Sequence, residues 1–220
     1  MFTVLNKPTE IQLTADGSPT IYLPDIDEHY HSVKGAVTES RHVYVECGMR
    51  HRAASTCDCA IPLRVLEIGY GTGLNAALTA EAACRKVYYT AIELNPLAPE
   101  MIPDYGVEIT KTLNAAPWDC PVEISPLFTL EKRHSDFLTA TLPGDIDVVY
   151  FDAFAPEKQP EMWSEEALRR VTKVMNPDAV LTTYCAKGAI RRLLQSLGLT
   201  VERLPGPPGG KREILRATKK

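Results

Sequence analysis

The feature that most constrains this chain is the run Gly69-Tyr70-Gly71-Thr72-Gly73, set between two segments of different periodicity. Before it, Leu63-Arg64-Val65-Leu66-Glu67-Ile68 is a short apolar run of strand type. After it, Leu74 to Cys84 has helical composition. Glycines at alternate positions let the main chain turn sharply and let a ligand lie against it without meeting a Cβ. The helix that follows offers free N–H groups and the positive end of its dipole. The same alternation recurs downstream. Val87–Ile92 and Asp147–Phe151 read as strands, Glu165–Met175 as a helix and Ala179–Thr183 as a strand. Ala186–Leu197 reads as a helix ended by Gly198, and Thr200–Leu204 and Glu213–Ala217 as two closing strands. Strands alternating with helices predict a Rossmann-like α/β domain, a mainly parallel twisted sheet flanked by helices.

The remaining segments are less regular. Residues 9–23 alternate apolar and polar around Asp16-Gly17, which predicts a hairpin. A polar stretch runs from Asp25 to Ser32, a short helix or strand passes through Val43-Tyr44-Val45, and residues 48–60 read as a surface loop. A two-stranded excursion is expected around Val122–Ile124 and Phe128–Leu130. The whole is expected to be one domain over 1–220, with an N-terminal hairpin extension over 1–60 and the core over 61–220.

Composition narrows the class. At 220 residues and 45% apolar, the chain can fill one α/β core. No apolar run approaches the roughly 18–20 residues of a membrane helix, and no secretory signal is visible at Met1–Pro8, so a cytoplasmic protein is expected. Six cysteines include one close pair, Cys57-Asp58-Cys59, with no second pair or finger-spaced histidines to complete a zinc site; no metal is expected. The net charge of −4 conceals a split. Residues 158–220 hold 13 basic against 6 acidic side chains, and the other 157 residues hold 11 against 22. A basic face for phosphates is compatible with that distribution, as is a merely solvated C-terminal segment.

The Gly-rich turn also speaks about the ligand. A dinucleotide fingerprint would place its third glycine where Leu74 stands, which weakens a pyrophosphate reading and disfavours a nicotinamide oxidoreductase. The E-x-G-x-G-x-G form beginning at Glu67 suits the amino-acid moiety of S-adenosylmethionine (SAM), which carries no phosphate. Glu93 ends the next strand, twenty residues past Gly73, where a carboxylate can accept from both ribose hydroxyls. Asp136 lies in the loop expected over the adenine, or serves as a helix cap. Asp152 follows the strand ending at Phe151, at the crevice outside the carboxyl ends of the strands. A carboxylate there can orient an acceptor amine and stabilise charge developing on nitrogen. Phe154 and Trp163 offer rings for a nucleobase, or for the core. Arg191, Arg192, Lys211 and Arg212 are candidate phosphate contacts.

Several stretches together resemble one family, the methyltransferase module of the bifunctional tRNA 5-methylaminomethyl-2-thiouridine biosynthesis enzyme, and more closely its stand-alone bacterial relatives. They are Asp27–Ser32, Glu39–Tyr44, Gly69–Asn75, Asp152–Pro156 with Pro160–Trp163, and Lys211–Glu213. The resemblance runs from about Gln12 to Ala217. It implies a class I SAM-dependent fold and methylation of the 5-aminomethyl group on the wobble uridine of certain tRNAs, with tRNA as partner. By the same resemblance Asp152 is the acid at the acceptor amine. Glu67, Gly69, Gly71, Gly73, Glu93 and Asp136 line the cofactor, with Tyr70 and Asn75 of the same stretch. Tyr70 stands where the family usually has Phe. No flavin-dependent half is expected in this chain. Two other readings stay open: a SAM-type enzyme acting on a small amine, including an aminopropyltransferase, and a non-catalytic nucleotide-binding module.

Overall fold

The computed structural model describes residues 9–55 and 60–220; the Cys57/Cys59 pair lies outside them. The chain opens with β1 (Glu10–Leu13), β2 (Pro19–Leu23) and β3 (Glu28–His29), a three-stranded antiparallel sheet in the order β1-β2-β3. The expected hairpin is present, with Ile11 opposite Ile21, and the polar stretch after it contributes a third strand.

A continuous helical segment follows: α1 (Ala36–Ser40), a π-helical stretch (Arg41–Arg50) and α2 (His51–Ala54). This corrects the surface loop expected from residue 48. Gly48 and polar neighbours suggest a loop on local preference, but burial decides otherwise. Val43, Tyr44, Val45 and Met49 are all at most 2% exposed, so tertiary packing outweighs propensity. Gly48 is where the segment meets the sheet: a Cβ there would lie 3.0 Å from the Tyr150 ring and 3.1 Å from Thr182 Oγ1. At the segment's end Arg52 faces Asp147 at 3.5 Å. The Asp147 carboxylate also accepts from Arg64 N–H at 3.0 Å and Asn176 Nδ2 at 3.2 Å.

The main sheet has eight strands. Along the chain come β4 (Leu63–Ile68), α3 (Leu74–Ala82), β5 (Val87–Glu93), α4 (Ile109–Ala115), β6 (Pro121–Ser125), β7 (Phe128–His134) and β8 (Ile146–Phe151). Then follow α5 (Glu165–Val174), β9 (Met175–Thr183), α6 (Gly188–Ser196), β10 (Leu199–Pro205) and β11 (Glu213–Lys219). Their order across the sheet is β10-β11-β9-β8-β4-β5-β7-β6. The five central strands, β7 through β9, are parallel; β6, β11 and β10 run antiparallel to their neighbours. The expected two-stranded excursion is therefore part of this sheet, because β7 pairs with β5 from Val87↔Phe128 to Glu93↔His134.

The helices form for ordinary reasons. In α5, Ser164 caps the first turn by accepting from Ala167 N–H at 3.2 Å, and Glu165 and Glu166 complement the dipole. Its buried residues Ala167, Leu168, Val171 and Thr172 fall on one stripe. Val148, Val149, Tyr150 and Phe151 of β8 are 0% exposed, as expected for a strand covered on both faces. The chain runs from β4 outward through β5 to β7 and then returns to β8 on β4's other side. The gap between β4 and β8 is thus the switch point, where the loops diverge and a ligand crevice opens. Among the described residues no helix is long and apolar enough to cross a membrane, and no group of three His, Cys, Asp or Glu is placed to hold a metal.

Candidate active site

A cavity of about 570 Å³ opens at that switch point. The Gly-rich turn supplies its floor. Gly69 has φ +90°, and a Cβ there would stand 2.8 Å from the Asp152 carbonyl oxygen; β4 and β8 can diverge this closely only around a glycine. Gly71, at φ +52°, lies beneath the Tyr30 ring, 3.1 Å from where its Cβ would be. The three-stranded N-terminal sheet thus closes one wall, bringing Leu23, Ile26, Tyr30 and His31 to the cavity. His31 Nε2 lies 2.8 Å from Thr72 Oγ1, and burial pushes its pKa down to about 4, so the ring is neutral. Tyr30 meets Phe154 edge-on at 5.4 Å.

The candidate cofactor residues divide into two groups. Gly69, Tyr70, Gly71, Asn75, Glu93 and Asp136 line the cavity. The Glu93 carboxylate accepts from Gly71 N–H at 3.0 Å and from Asn95 N–H at 2.8 Å. Asp136 Oδ1 accepts from Leu138 N–H at 2.8 Å, so this residue caps its own turn while facing the cavity. Glu67 and Gly73 are not on the wall. Glu67 lies beneath the floor, fully buried, with Oε1 accepting from Asn75 Nδ2 at 2.9 Å. Burial raises its carboxyl well above the usual range, which favours the protonated form. Gly73 meets the Tyr70 phenol instead. Tyr70 in turn donates to Asn114 Oδ1 at 2.9 Å, and Asn114 Nδ2 donates to the Thr72 carbonyl at 3.0 Å. Lys132, 1% exposed, donates to the Asn114 carbonyl and sits 4.8 Å from the Trp118 ring centre. This bracing from α4 and β7 was invisible in the sequence because it joins residues distant along the chain.

Asp152 stands at the carboxyl end of β8, on the cavity wall. Its Oδ1 accepts from the Tyr44 hydroxyl at 2.5 Å and its Oδ2 from Asn75 Nδ2 at 2.7 Å. Burial pushes its pKa up to about 6, against the pull of those two bonds. Phe154 is on the same wall, whereas Trp163 is core: it packs on Phe151 at 4.9 Å, and its Nε1 donates to the Phe154 carbonyl at 2.8 Å. The candidate cations are not in the cavity. Lys211 Nζ lies 3.6 Å from the Tyr184 ring centre and 3.6 Å from Glu39 Oε1. Arg212 is exposed beside it, and Arg191 and Arg192 lie within α6. Sequence reasoning missed Tyr44 and Glu39 as parts of this site. Their signal was the Glu39–Tyr44 stretch, among the most specific of the chain but with no role attached.

The cavity suits SAM on three observations. Gly69 and Gly71 form a cradle that side chains would fill. Ser135 Oγ and Asn75 Oδ1, on residues that line the cavity, are buried without a partner. The polar lining is mainly carboxylate and amide, with a single lysine, Lys158, and no cluster of cations for phosphate among the described residues. Comparison with known proteins points the same way. A family model described as S-adenosyl-L-methionine-dependent methyltransferase matches residues 135–220. The tRNA 5-methylaminomethyl-2-thiouridine biosynthesis bifunctional protein MnmC of Cupriavidus necator is 29% identical over 235 residues, which cover 96% of this chain and 34% of that protein. MnmC of Pseudomonas fluorescens is 29% identical over 210 residues, 86% of this chain and 32% of that protein. The chain thus spans about a third of the length of these relatives. The crystal structure of MnmC2 from Aquifex aeolicus superposes with a TM-score of 0.80 at 24% identity, covering 98% of this chain and 71% of that one.

Proposed function

We propose that this chain is a SAM-dependent methyltransferase, a reading supported by the family model over residues 135–220 and by the shared fold, that its acceptor is the 5-aminomethyl group on the wobble uridine of tRNA, and that its product is the 5-methylaminomethyl group. One observation carries the proposal. A carboxylate, Asp152, is held by two hydrogen bonds at the wall of a cavity that Glu93 also lines, in a chain similar along nearly its whole length to MnmC proteins. Bound SAM supplies a methyl group made electrophilic by its sulfonium. Glu93 would accept from the ribose hydroxyls, and the Ser135–Asp136 turn would hold the adenine. The Gly69–Gly71 main chain admits the amino-acid moiety.

The protein's own residues govern the acceptor. An alkyl amine is mostly protonated at neutral pH, and only its neutral form has a lone pair for attack. Asp152 accepts a hydrogen bond from the amine N–H, which fixes the lone pair's direction. With a pKa near 6 it is ionised at pH 7 and offers a proton acceptor at the wall. Its charge also favours the transition state, as positive charge moves onto nitrogen. Tyr30 and Phe154 present apolar faces at the cavity for the uracil ring. Lys211 and Arg212 stand near Asp152's side of the site for the RNA backbone, and the protein works in the cytoplasm with tRNA.

The test is single-turnover methylation of tRNA bearing 5-aminomethyluridine, with SAM binding followed by calorimetry. Asp152→Asn is expected to keep SAM affinity within about threefold and to lower kcat by roughly 10²-fold. Transfer of label to polyamines rather than to tRNA would reject the acceptor, and near-normal turnover by the variant would remove Asp152 from the chemistry.

A further inference from the structure

Asp152 is clamped from two sides, and one clamp comes from outside the alternating strand–helix core. Asn75, at the start of α3, is shared between Asp152 Oδ2 and Glu67 Oε1. Tyr44 reaches Asp152 Oδ1 from the π-helical stretch, 108 residues earlier in the chain. Its ring is 1% exposed and packs on Tyr150 at 5.1 Å. That packing is possible because Gly48, one turn on, lets the helix lie directly against β8 and β9. The phenol is therefore fixed in place before any substrate arrives.

We propose that Tyr44 is a positioning residue of the acceptor site: its hydroxyl holds Asp152 as the ionised carboxylate and turns the carboxylate's remaining lone pairs toward the acceptor amine. The inference rests on the reading of Asp152 given above and extends it to a second residue. A phenol donates a stronger hydrogen bond to a carboxylate than to a neutral carboxyl group, so the bond stabilises the charged form selectively. Tyr44 cannot itself lose its proton near neutrality, because burial and the adjacent Asp152 charge raise it well above the ordinary tyrosine range.

The other groups facing Asp152 do not replace this effect. Glu39 of α1 opposes ionisation and Lys211, ahead of β11, favours it; the two lie 3.6 Å apart and largely offset one another. Burial favours the neutral form of Glu67 beneath, and Tyr184 after β9 donates its hydroxyl to the Ala153 carbonyl at 2.8 Å. Desolvation thus pushes Asp152 upward, and Tyr44 with Asn75 restrains it at about 6. Without Tyr44 the carboxyl would be half or more protonated at pH 7 and would offer a proton where it must accept one.

The experiment measures kcat/KM for 5-aminomethyluridine tRNA between pH 5 and 9 in wild type and Tyr44→Phe. In wild type the acid limb steepens below about pH 6, where Asp152 protonates together with the amine. In Tyr44→Phe this break is expected to move up by about one unit, giving a roughly fivefold deficit near pH 6 that approaches about tenfold at lower pH and narrows as pH rises. Replacing Tyr44 by 3-fluorotyrosine keeps the packing and strengthens the donor, and the break is expected to move down. A deficit that is uniform across pH, with the break unmoved in both variants, overturns the proposal. Carboxyl titration by ¹³C NMR of aspartate-labelled protein, with Asp152→Asn to assign the signal, needs no substrate. It reports the same shift even if the acceptor is not tRNA, so failure of the proposed function and failure of this inference remain distinguishable. An Asp152 titration unchanged by Tyr44→Phe overturns it on its own.

Discussion

Glu93→Ala tests the ribose contact proposed for Glu93. Glu93 ends β5 in parallel register with β4, Ile92 lying opposite Ile68, so its side chain stands beside the Gly-rich turn. An ionised carboxylate has about four acceptor positions. Two are occupied by Gly71 N–H and Asn95 N–H, and the remaining two suit a vicinal diol. A hydrogen bond to a charged group contributes about 1.5–3 kcal/mol, and neighbouring bonds to one group are not additive. The expected loss is therefore one such increment, about 10- to 150-fold in Kd. Calorimetry with SAM gives the magnitude. A second titration with the 2′-deoxyribose analogue gives the cause: wild type should lose affinity for the analogue, and Glu93→Ala should bind the two ligands almost equally. A variant Kd within twofold of wild type would refute the placement. An equal 2′-deoxy penalty in both proteins would assign Glu93 to the Gly71 turn alone.

Gly69→Ala forces a left-handed alanine and puts its Cβ 2.8 Å from the Asp152 carbonyl. A cost of at least about 1–2 kcal/mol follows, and each kcal/mol lowers Tm by about 2–4 °C in a protein this size. Unchanged Tm with unchanged kcat would show that the turn tolerates a side chain. Glu67→Gln should flatten the pH dependence of stability. The native carboxyl has its pKa raised by burial, so above the unfolded value of about 4.3 the native state binds more protons than the unfolded state, and wild-type stability falls as pH rises toward the native pKa. The variant should lose less Tm than wild type between pH 5 and pH 8, and parallel curves would contradict a protonated Glu67. Lys211→Ala combined with Arg212→Ala should weaken tRNA binding and lower the slope of log K against log salt; an unaltered slope would take both residues off the phosphate backbone.

Much of this protein was legible along the chain. Leu63–Ile68, Val87–Glu93 and Ile146–Phe151 are strands because each is a short, nearly continuous apolar run that must be covered on both faces. Glycine spacing placed the turn, and strand ends placed Glu93 and Asp152, since a doubly wound sheet gathers its ligand groups at one edge. These are local signals, carried by residues adjacent in sequence. Only tertiary structure decided what depends on distant neighbours. Residues 41–54 are helical because Val43, Tyr44, Val45 and Met49 are buried against the sheet, a force that local propensity does not register. The β6–β7 pair joins the main sheet because β7 finds β5 as a parallel partner. Glu67, at the head of the Gly-rich motif, turned out to lie beneath the cavity floor, since alternation along β4 points it into the interior. Asp152's partner Tyr44 is 108 residues away. Sequence showed that a carboxylate would stand at the switch point, and the fold determined which donors hold it there, because a hydrogen bond requires proximity in space.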